Sequence, residues 1–372
     1  MRVRQQRTLW RLLALLAAFA MLAAACAGDD GEDTAAESEE AEAEDEEASD
    51  EASSDADGAE DEEEAMEDEE EAMEDDEATE AVTDLTVAIV APSASDDLAF
   101  TQSMIDALDA LGIEPDVTDG TFVVEEAAEA IRGYADTGFD VVIAHGTQFG
   151  GSLAEIAPDF PETSFIWGTS ADNQGIDNVF AYTPAANEGA YVLGTIAAQL
   201  SESGQIGMVG PIEAGDASLY VEGFVLGAEA EGASVNVTYT GSFGDVALAT
   251  EAAQAHLDVG SDVLTGTAQH VVGAIQIASA NDVPWFATQA NQTSLAPDLV
   301  VASQVYHWEV VLEEMFEMIE GGTLGGEAFE LNLANGGLVI EYNDGFELSD
   351  EIVEGADATV AGIIDGSIAT LG

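Results

Sequence analysis

Lysine is absent from this 372-residue sequence, and its five basic residues are all arginine, against 77 aspartates and glutamates. Four of the arginines precede residue 12, which leaves Arg132 as the only arginine in the rest of the chain. A surface with a formal net charge of −72 repels phosphate groups, so nucleic acids and anionic lipids are excluded as partners. We explain the acidity by adaptation to high salt, in which acidic surfaces stay soluble, and a cationic ligand is the alternative.

The sequence also lacks the motifs of the common enzyme classes. It contains no G-x-S-x-G, H-E-x-x-H or G-x-x-x-x-G-K pattern, and it offers no lysine for a Schiff base or a phosphate clamp. The four histidines are scattered, with no pair at i and i+4, so we expect no zinc site or other metal centre. We therefore expect a binding protein without a cofactor rather than an enzyme. An unfamiliar hydrolase is a distant alternative.

Cysteine is almost absent, and the single one, Cys26, cannot form an internal disulfide. The four early arginines and the 14-residue apolar run 12–25 are typical of an export signal. The run is shorter than the roughly 20 residues that span a membrane, although an uncleaved anchor is the alternative. Cys26 follows three alanines and resembles the lipobox of bacterial lipoproteins, with Ala23 where leucine is preferred. We interpret residues 1–25 as a lipoprotein signal peptide and Cys26 as the lipidated residue that anchors the protein to the outer face of the cell membrane.

An acidic, low-complexity segment follows the cysteine. Residues 29–80 consist mostly of Asp, Glu, Ala and Ser and contain no aromatic residue. Such a composition cannot bury enough apolar surface to offset the entropy of ordering. A single acidic helix is the alternative, but like charges at i and i+4 oppose it. We predict that residues 26–83 form a disordered tether.

From residue 84 the hydrophobic pattern alternates between strand and helix periodicity. Strand–helix alternation predicts parallel sheets with right-handed crossovers. The number of units favours an α/β fold of two doubly wound lobes, with an eight-fold barrel as the weaker alternative. A last long helix, "WEVVLEEMFEMIEGG", precedes a tail that we predict to be rich in strand. Ligands of open parallel sheets bind beyond the carboxyl ends of strands, so we expect the site in segments such as "HGTQFGG", "GTAQH" and "TQANQ".

Several stretches together resemble the basic membrane protein family, the type I periplasmic-binding-protein-like receptors that include the purine nucleoside receptors. They are "DDLAFTQSMIDAL", "NEGAYVLGTIAAQLSESGQIGMVG", "YVEGFVLGA", "YTGSFGD", "ASANDVPWFATQANQTSLAPD" and "ANGGL". The resemblance implies a monomeric solute receptor that closes two lobes around a nucleoside or a related small molecule and delivers it to an ABC permease. We expect a bilobed domain over 84–372, with lobe 1 at about 84–183 and 305–337 and lobe 2 at about 184–304 and 338–372. The ligand cleft would lie between the lobes.

The resemblance also implies individual ligand-binding residues. Asp97 and Phe100 match the aspartate and the stacking phenylalanine of the family's D-D-x-S-F-N motif. Tyr220 in "YVEGF" matches the opposing aromatic residue, so the two rings would clamp a flat ligand. The alternative for Phe100 is simple packing of its helix against the sheet.

Polar contacts would come from the segments after other strands. Gln289 stands where the family has an aspartate that holds the ribose, and His307 lies where a lysine is usual. These two changes indicate that the polar contacts with the ligand differ from those of the nucleoside receptors. His145, Gln148 and Thr267 complete the expected polar edge of the cleft.

A ligand-sensing lipoprotein that acts with a signalling membrane partner is the alternative function. The neighbouring genes discriminate between the two. A permease and an ATPase favour import, and a histidine kinase favours sensing.

We predict that the mature protein begins at Cys26 and that this residue carries a diacylglyceryl group. Mass spectrometry of the protein extracted from membranes would detect this modification at the new N-terminus. A chain that begins at Met1, or an unmodified Cys26, would contradict the prediction, and Cys26→Ser should release the protein from the membrane fraction.

Overall fold

A computed structural model describes residues 82–372 of the chain. The predicted signal peptide, Cys26 and all but the end of the predicted tether lie outside these residues. The described part contains two six-stranded sheets, each flanked by helices.

The first sheet is built entirely from parallel strands. In spatial order its strands are β11 (Ala328–Leu331), β5 (Val179–Pro184), β4 (Ser164–Gly168), β3 (Val141–His145), β1 (Val87–Val90) and β2 (Asp116–Thr118). The second sheet is parallel except for its edge strand β12, which runs antiparallel to β10. Its strands are β12 (Leu338–Tyr342), β10 (Val300–Tyr306), β9 (Trp285–Gln289), β8 (Val263–Gly266), β6 (Gln205–Gly210) and β7 (Ser234–Tyr239).

Helices connect the parallel strands and cover both sheets. They are α1 (Phe100–Ala110), α2 (Val124–Thr137), α3 (Gly150–Ile156), α4 (Ala186–Leu200), α5 (Gly215–Ala230), α6 (Val246–Asp258), α7 (Val272–Ala280), α8 (Glu309–Glu320) and α9 (Asp350–Ile364). Every residue of β1, β3 and β4 is buried, as expected for a parallel sheet with helices on both faces. The predicted fold class, two doubly wound α/β lobes, is confirmed.

Helix α2 illustrates how the sequence determines these elements. Its buried residues Ala127, Ile131 and Ala135 recur every four positions and therefore form one apolar stripe. Glu125 and Glu126 lie in the first turn, where a carboxylate interacts favourably with the helix dipole. Gly138, with a φ of 89°, ends the helix in the left-handed conformation that glycine adopts without strain.

Three connections join the two sheets. The chain leaves the first sheet at the end of β5, returns to it after β10, and leaves it again between β11 and β12. The chain therefore passes from the first sheet to the second, back to the first and again to the second, which is the order of the predicted lobe segments. The exact lobe boundaries stay a prediction.

The prediction of a strand-rich tail is wrong in part. After β11 and β12 the chain forms α9, a helix of 15 residues. The side chain of Ser349 accepts a hydrogen bond from the backbone N–H of Ile352 and so caps the start of this helix. Several glycines and scattered small residues obscured the helical periodicity of this segment.

Helices α4 and α5 pack with their backbones in direct contact, because glycines line the contact. A Cβ atom at Gly223 would overlap the backbone of Asn187, and one at Gly227 would overlap the carbonyl of Tyr191. The close packing places the first turn of α5, and with it the segment after β6, firmly against the rest of the second sheet.

We predict that Gly227→Ala lowers the free energy of unfolding by about 1–3 kcal/mol, because the added methyl group overpacks the contact. Gly133→Ala is the matched control. Gly133 also lies in a helix, but nothing lies within 4 Å of the position of its Cβ. That change should stabilise the protein by about 0.5–1 kcal/mol. Urea unfolding measures both values, and equal effects of the two substitutions would contradict the packing interpretation.

Candidate ligand-binding cleft

A cavity lies between the two lobes, at the carboxyl ends of the parallel strands. It holds about 390 Å³ of empty space, measured out to its open mouth. Three phenylalanines line it, together with amides, hydroxyls and one carboxylate. The side chains that matter most for its chemistry are those of Phe100, Gln148, Thr169, Asp216, Phe243 and Gln289. This is the edge at which open parallel sheets bind their ligands.

The ring of Phe100 forms an apolar wall of the cavity and is held from behind by His145. The two rings stack with their centroids 3.9 Å apart and an angle of 10° between their planes. His145 Nε2 donates a hydrogen bond of 3.0 Å to the backbone carbonyl of Phe100. The orientation of Phe100 is therefore fixed through both its side chain and its backbone.

His145 is neutral in this arrangement. Burial lowers its pKa to about 3. Because Nε2 donates to a carbonyl, Nδ1 is the acceptor and receives a hydrogen bond from the Tyr182 hydroxyl. The residue was predicted to contact the ligand, but the structure places it beneath Phe100, fully buried and not among the residues that line the cavity.

Trp308 links the stacked rings of Phe100 and His145 to the segment after β10, where the chain crosses between the lobes. Its ring lies edge-on to those of Tyr182, His145 and Tyr306, at centroid distances of 5.0, 5.7 and 5.2 Å. Its Nε1–H donates a hydrogen bond of 2.8 Å to Ser103 in α1. Trp308, two residues after the end of β10, is thus fixed against the first lobe.

Asp216 places a carboxylate at the cavity, in the first turn of α5. Gly215, with a φ of 59°, provides the left-handed turn that precedes it. Tyr306 and the Gln289 side-chain amide donate hydrogen bonds to Oδ2 over 3.4 and 3.3 Å, and Thr169 donates to Oδ1 over 3.5 Å. Burial raises the pKa of this carboxyl, and the hydrogen bonds oppose that shift. The sequence reasoning missed Asp216, because only the burial of its segment distinguishes it from the many surface acids.

Gln148 and Gln289, two of the residues predicted to contact the ligand, line the cavity, and the contact itself stays a prediction. Gln289 adopts a φ of 78° at the end of β9 and is 3% exposed. Its Oε1 atom is buried and has no hydrogen-bond partner among the described residues. The same is true of the Thr267 hydroxyl, but Thr267 lies behind the lining residues rather than among them.

Asp97 has a different place from the predicted one. Its carboxylate accepts hydrogen bonds from the backbone N–H groups of Ala99, Thr101 and Gln102, at 2.9, 3.2 and 3.0 Å, and so caps the start of α1. Ser93 donates a further hydrogen bond of 2.6 Å. These donors engage both oxygens, so the residue supports Phe100 from the N-terminal side of the helix.

His307 lies outside the cavity, in a separate groove with Asp106 and Glu341. Its Nδ1 atom is 2.7 Å from Glu309 Oε1, and this carboxylate raises the pKa of His307. Tyr306, the residue before His307, points toward the cavity instead, and its hydroxyl donates a hydrogen bond to Asp216.

Tyr220 is buried in the core of the second lobe and does not line the cavity. It is 0% exposed, its ring packs against Phe224, and its hydroxyl lies 2.7 Å from that of Thr265. It lies on the same face of α5 as Asp216, but one turn further from the start of the helix. The aromatic residue that lines the cavity on this lobe is Phe243, in the loop before α6. A clamp formed by Phe100 and Tyr220 stays an untested prediction.

The lobes touch each other across the cleft. The hydrogen bond from Thr169 to Asp216 joins the end of β4 to α5. Gln292 Nε2 donates a second one, of 3.1 Å, to the carbonyl of Leu98. The structure is therefore that of a closed cleft, with the carboxylate on one side and the stacked ring of Phe100 on the other.

Residues 82–372 lack two features. No group of three or more His, Cys, Asp or Glu side chains in this range could hold a metal ion. Among the same residues, no helix combines the length and the hydrophobicity of a membrane span.

Comparison with known proteins identifies relatives of the whole domain. The model of the family described as ABC transporter substrate-binding protein PnrA-like matches residues 85–368. A purine-binding protein of Brucella abortus is 25% identical over 273 residues, which cover 72% of this chain and 76% of that protein. The ABC transporter nucleoside-binding protein BmpA of Lactococcus lactis is 25% identical over 315 residues, covering 77% and 89%.

Solved structures show the same fold. An ABC transporter solute-binding protein from Conexibacter woesei superposes with a TM-score of 0.63 at 25% identity, over 77% of this chain and 98% of that one. A solute-binding protein from Aeropyrum pernix superposes with a TM-score of 0.66 at 20% identity, over 77% and 92%. Both are similar to this chain in the arrangement of two α/β lobes around a cleft.

We predict that, as the pH falls below about 6.5, the free energy of unfolding of the wild type decreases relative to that of the His145→Asn variant. The folded pKa of His145 is about 3, so this residue takes up a proton only on unfolding. The relative loss should approach about 1.4 kcal/mol per pH unit. Urea unfolding between pH 7 and pH 4.5 measures it.

His307→Asn is the control with the opposite sign. Glu309 raises the pKa of His307, so its stabilising contribution is fully present below the unfolded pKa and disappears as the pH rises through the folded one. A difference between wild type and His145→Asn that does not change with pH would contradict a neutral, buried His145.

Proposed function

The chain belongs to the family of PnrA-like ABC transporter substrate-binding proteins, and from this premise we propose that it binds a nucleoside or a related small molecule and delivers it to a membrane permease. Proteins of this extracytoplasmic family bind solutes and are not enzymes. Lipidation at Cys26 would hold the protein at the outer face of the membrane, and the acidic segment up to residue 83 would give it reach to the permease. The two relatives named for binding purines and nucleosides support the proposed class of ligand.

The observation that carries the proposal is the wall formed by Phe100. Its ring lines the cavity and cannot turn away, because it stacks on His145 at 3.9 Å and its carbonyl is bonded to the same residue. A fixed aromatic face suits a flat base, and stacking of a base on an aromatic side chain contributes about 1–3 kcal/mol. Phe122 and Phe243 add apolar surface around the same cavity.

The polar contacts are proposed for Gln148 and Gln289. Both line the cavity, and an amide side chain can donate to and accept from the edge of a base or a sugar. Asp97 and His145 act in this scheme through Phe100, which they position. We do not assign a ligand contact to Thr267 or His307, since neither lines the cavity.

We predict that Phe100→Leu weakens nucleoside binding by about 1–3 kcal/mol, because leucine keeps the hydrophobic packing and removes the stacking surface. Isothermal titration of the purified domain with purine and pyrimidine nucleosides measures the affinity. Phe329→Leu is the matched control. Phe329 lies on the edge strand β11, away from the cavity, and packs against Phe180. The nucleoside affinity of Phe329→Leu should therefore equal that of the wild type.

Two results would overturn the proposal. Failure of every nucleoside and free base to bind the wild type would remove the ligand class. Release of free base from a bound nucleoside would show turnover and therefore an enzyme.

A further inference from the structure

We infer that Asp216 determines which ligands the cleft accepts, by receiving hydrogen bonds from two neighbouring donor groups of a small molecule that carries no phosphate. This inference rests on the proposed function and names the chemistry of the same site. Neither the family resemblance nor the sequence motifs pointed to this residue.

The carboxylate of Asp216 is only loosely satisfied by the protein. An ionised carboxylate accepts about four hydrogen bonds, and charge-assisted ones are typically about 2.7–2.9 Å long. The three side-chain donors of Asp216 lie at 3.3, 3.4 and 3.5 Å, and its own backbone N–H is a fourth donor. The group therefore keeps acceptor capacity for a closer donor, although it is only 7% exposed.

No positive side chain compensates this charge in the part of the chain that the structure describes. Arg132 bonds to Asp159 on the surface, at 3.1 Å, and His307 pairs with Glu309. His145 is kept neutral by burial. The first turn of α5 supplies only the partial positive charge of a helix N-terminus. A buried carboxylate without a cation is costly for the fold, and such costs are typical of binding sites.

A second observation indicates that donors come from a ligand. Gln289, which also lines the cavity, uses its amide N–H on Asp216 and leaves its buried Oε1 without a partner. The Oε1 atom of Gln269, another lining residue, is likewise buried and unpartnered. Buried acceptors without donors cost free energy until a donor reaches them. Two buried acceptor atoms of lining residues thus have no donor from the described residues.

Asp216 and the two unpartnered acceptors favour a class of ligand. A hydroxyl pair of a sugar and the N–H groups of a base both present adjacent donors, and either satisfies the shared chemistry. A phosphate presents mainly acceptors and negative charge, so its approach to the carboxylate of Asp216 is repulsive.

Asp216→Asn tests the inference in the mature protein. It keeps the size of the side chain but replaces one acceptor oxygen with a donor. Ribonucleoside affinity should fall about 10- to 100-fold, as expected for the loss of hydrogen bonds to a charged group. The melting temperature of the ligand-free protein should rise, because the substitution removes an uncompensated buried charge. Asp258→Asn, an exposed carboxylate at the end of α6, is the control and should change neither value.

Modified ligands identify which donors Asp216 receives. If it binds the sugar hydroxyls, a 2′,3′-dideoxynucleoside should bind wild type and Asp216→Asn equally. If it binds base N–H groups, the free base should show the same loss on Asp216→Asn as the nucleoside. In both cases the wild type should bind the nucleoside 5′-monophosphate more weakly than it binds the nucleoside. This difference in affinity between the two ligands should be smaller for Asp216→Asn.

The outcomes separate this inference from the proposed function. A wild type that binds no nucleoside or base overturns both. A wild type that binds, with Asp216→Asn equal to it in affinity, overturns the inference alone. A lower melting temperature of ligand-free Asp216→Asn, at unchanged affinity, would make Asp216 a structural residue and would also overturn it.

Discussion

Parallel pairing of the strands is the constraint on which the rest of this structure depends. Every strand pair except β10–β12 is parallel, so consecutive strands of one sheet are joined by crossover connections, most of which carry a helix that covers a face of the sheet. The same pairing sends all carboxyl ends of one sheet to one edge. Residues far apart in the chain, such as Phe100, Thr169 and Gln289, meet at the cavity for this reason alone. The cleft is a product of topology, and its chemistry is added by the few residues that follow each strand.

The two sides of the cleft have different electrostatic characters. The first lobe contributes a neutral stack, in which burial keeps His145 uncharged and Phe100 supplies an apolar face. The second lobe contributes Asp216, a buried carboxyl whose pKa is raised by burial and lowered by its hydrogen bonds. A ligand bound between them would turn its flat apolar part toward one lobe and its hydrogen-bond donors toward the other. This division gives the bound molecule a single orientation without any positively charged side chain of the described residues.

Sequence reasoning identified the architecture because strand–helix alternation is a local property that each segment displays by itself. It also placed Gln148 and Gln289 at the cleft, since residues directly after buried strands have little choice of position. It failed where the outcome depends on the distance of a helical turn from the cavity. Tyr220 and Asp216 lie four residues apart on the same face of α5, and Tyr220, one turn further along, packs against Phe224 and bonds to Thr265 instead of lining the cavity. Asp216 itself could not be recognised among 77 acidic residues, because its special property is burial and not identity.

The three connections between the sheets leave from adjacent positions. Pro184 pairs with Leu331 at one end of the first sheet, and Tyr306 pairs with Leu338 at the corresponding end of the second. A single connection would act as a swivel and would leave the lobes free to twist as well as to bend. Three connections side by side resist twisting and leave one easy rotation, about the line that joins them. Closure of the lobes around a ligand would then be a motion with one degree of freedom, and the ligand would have little orientational entropy to overcome. A permease that recognises the closed form would meet one fixed geometry of the two lobes rather than a family of them.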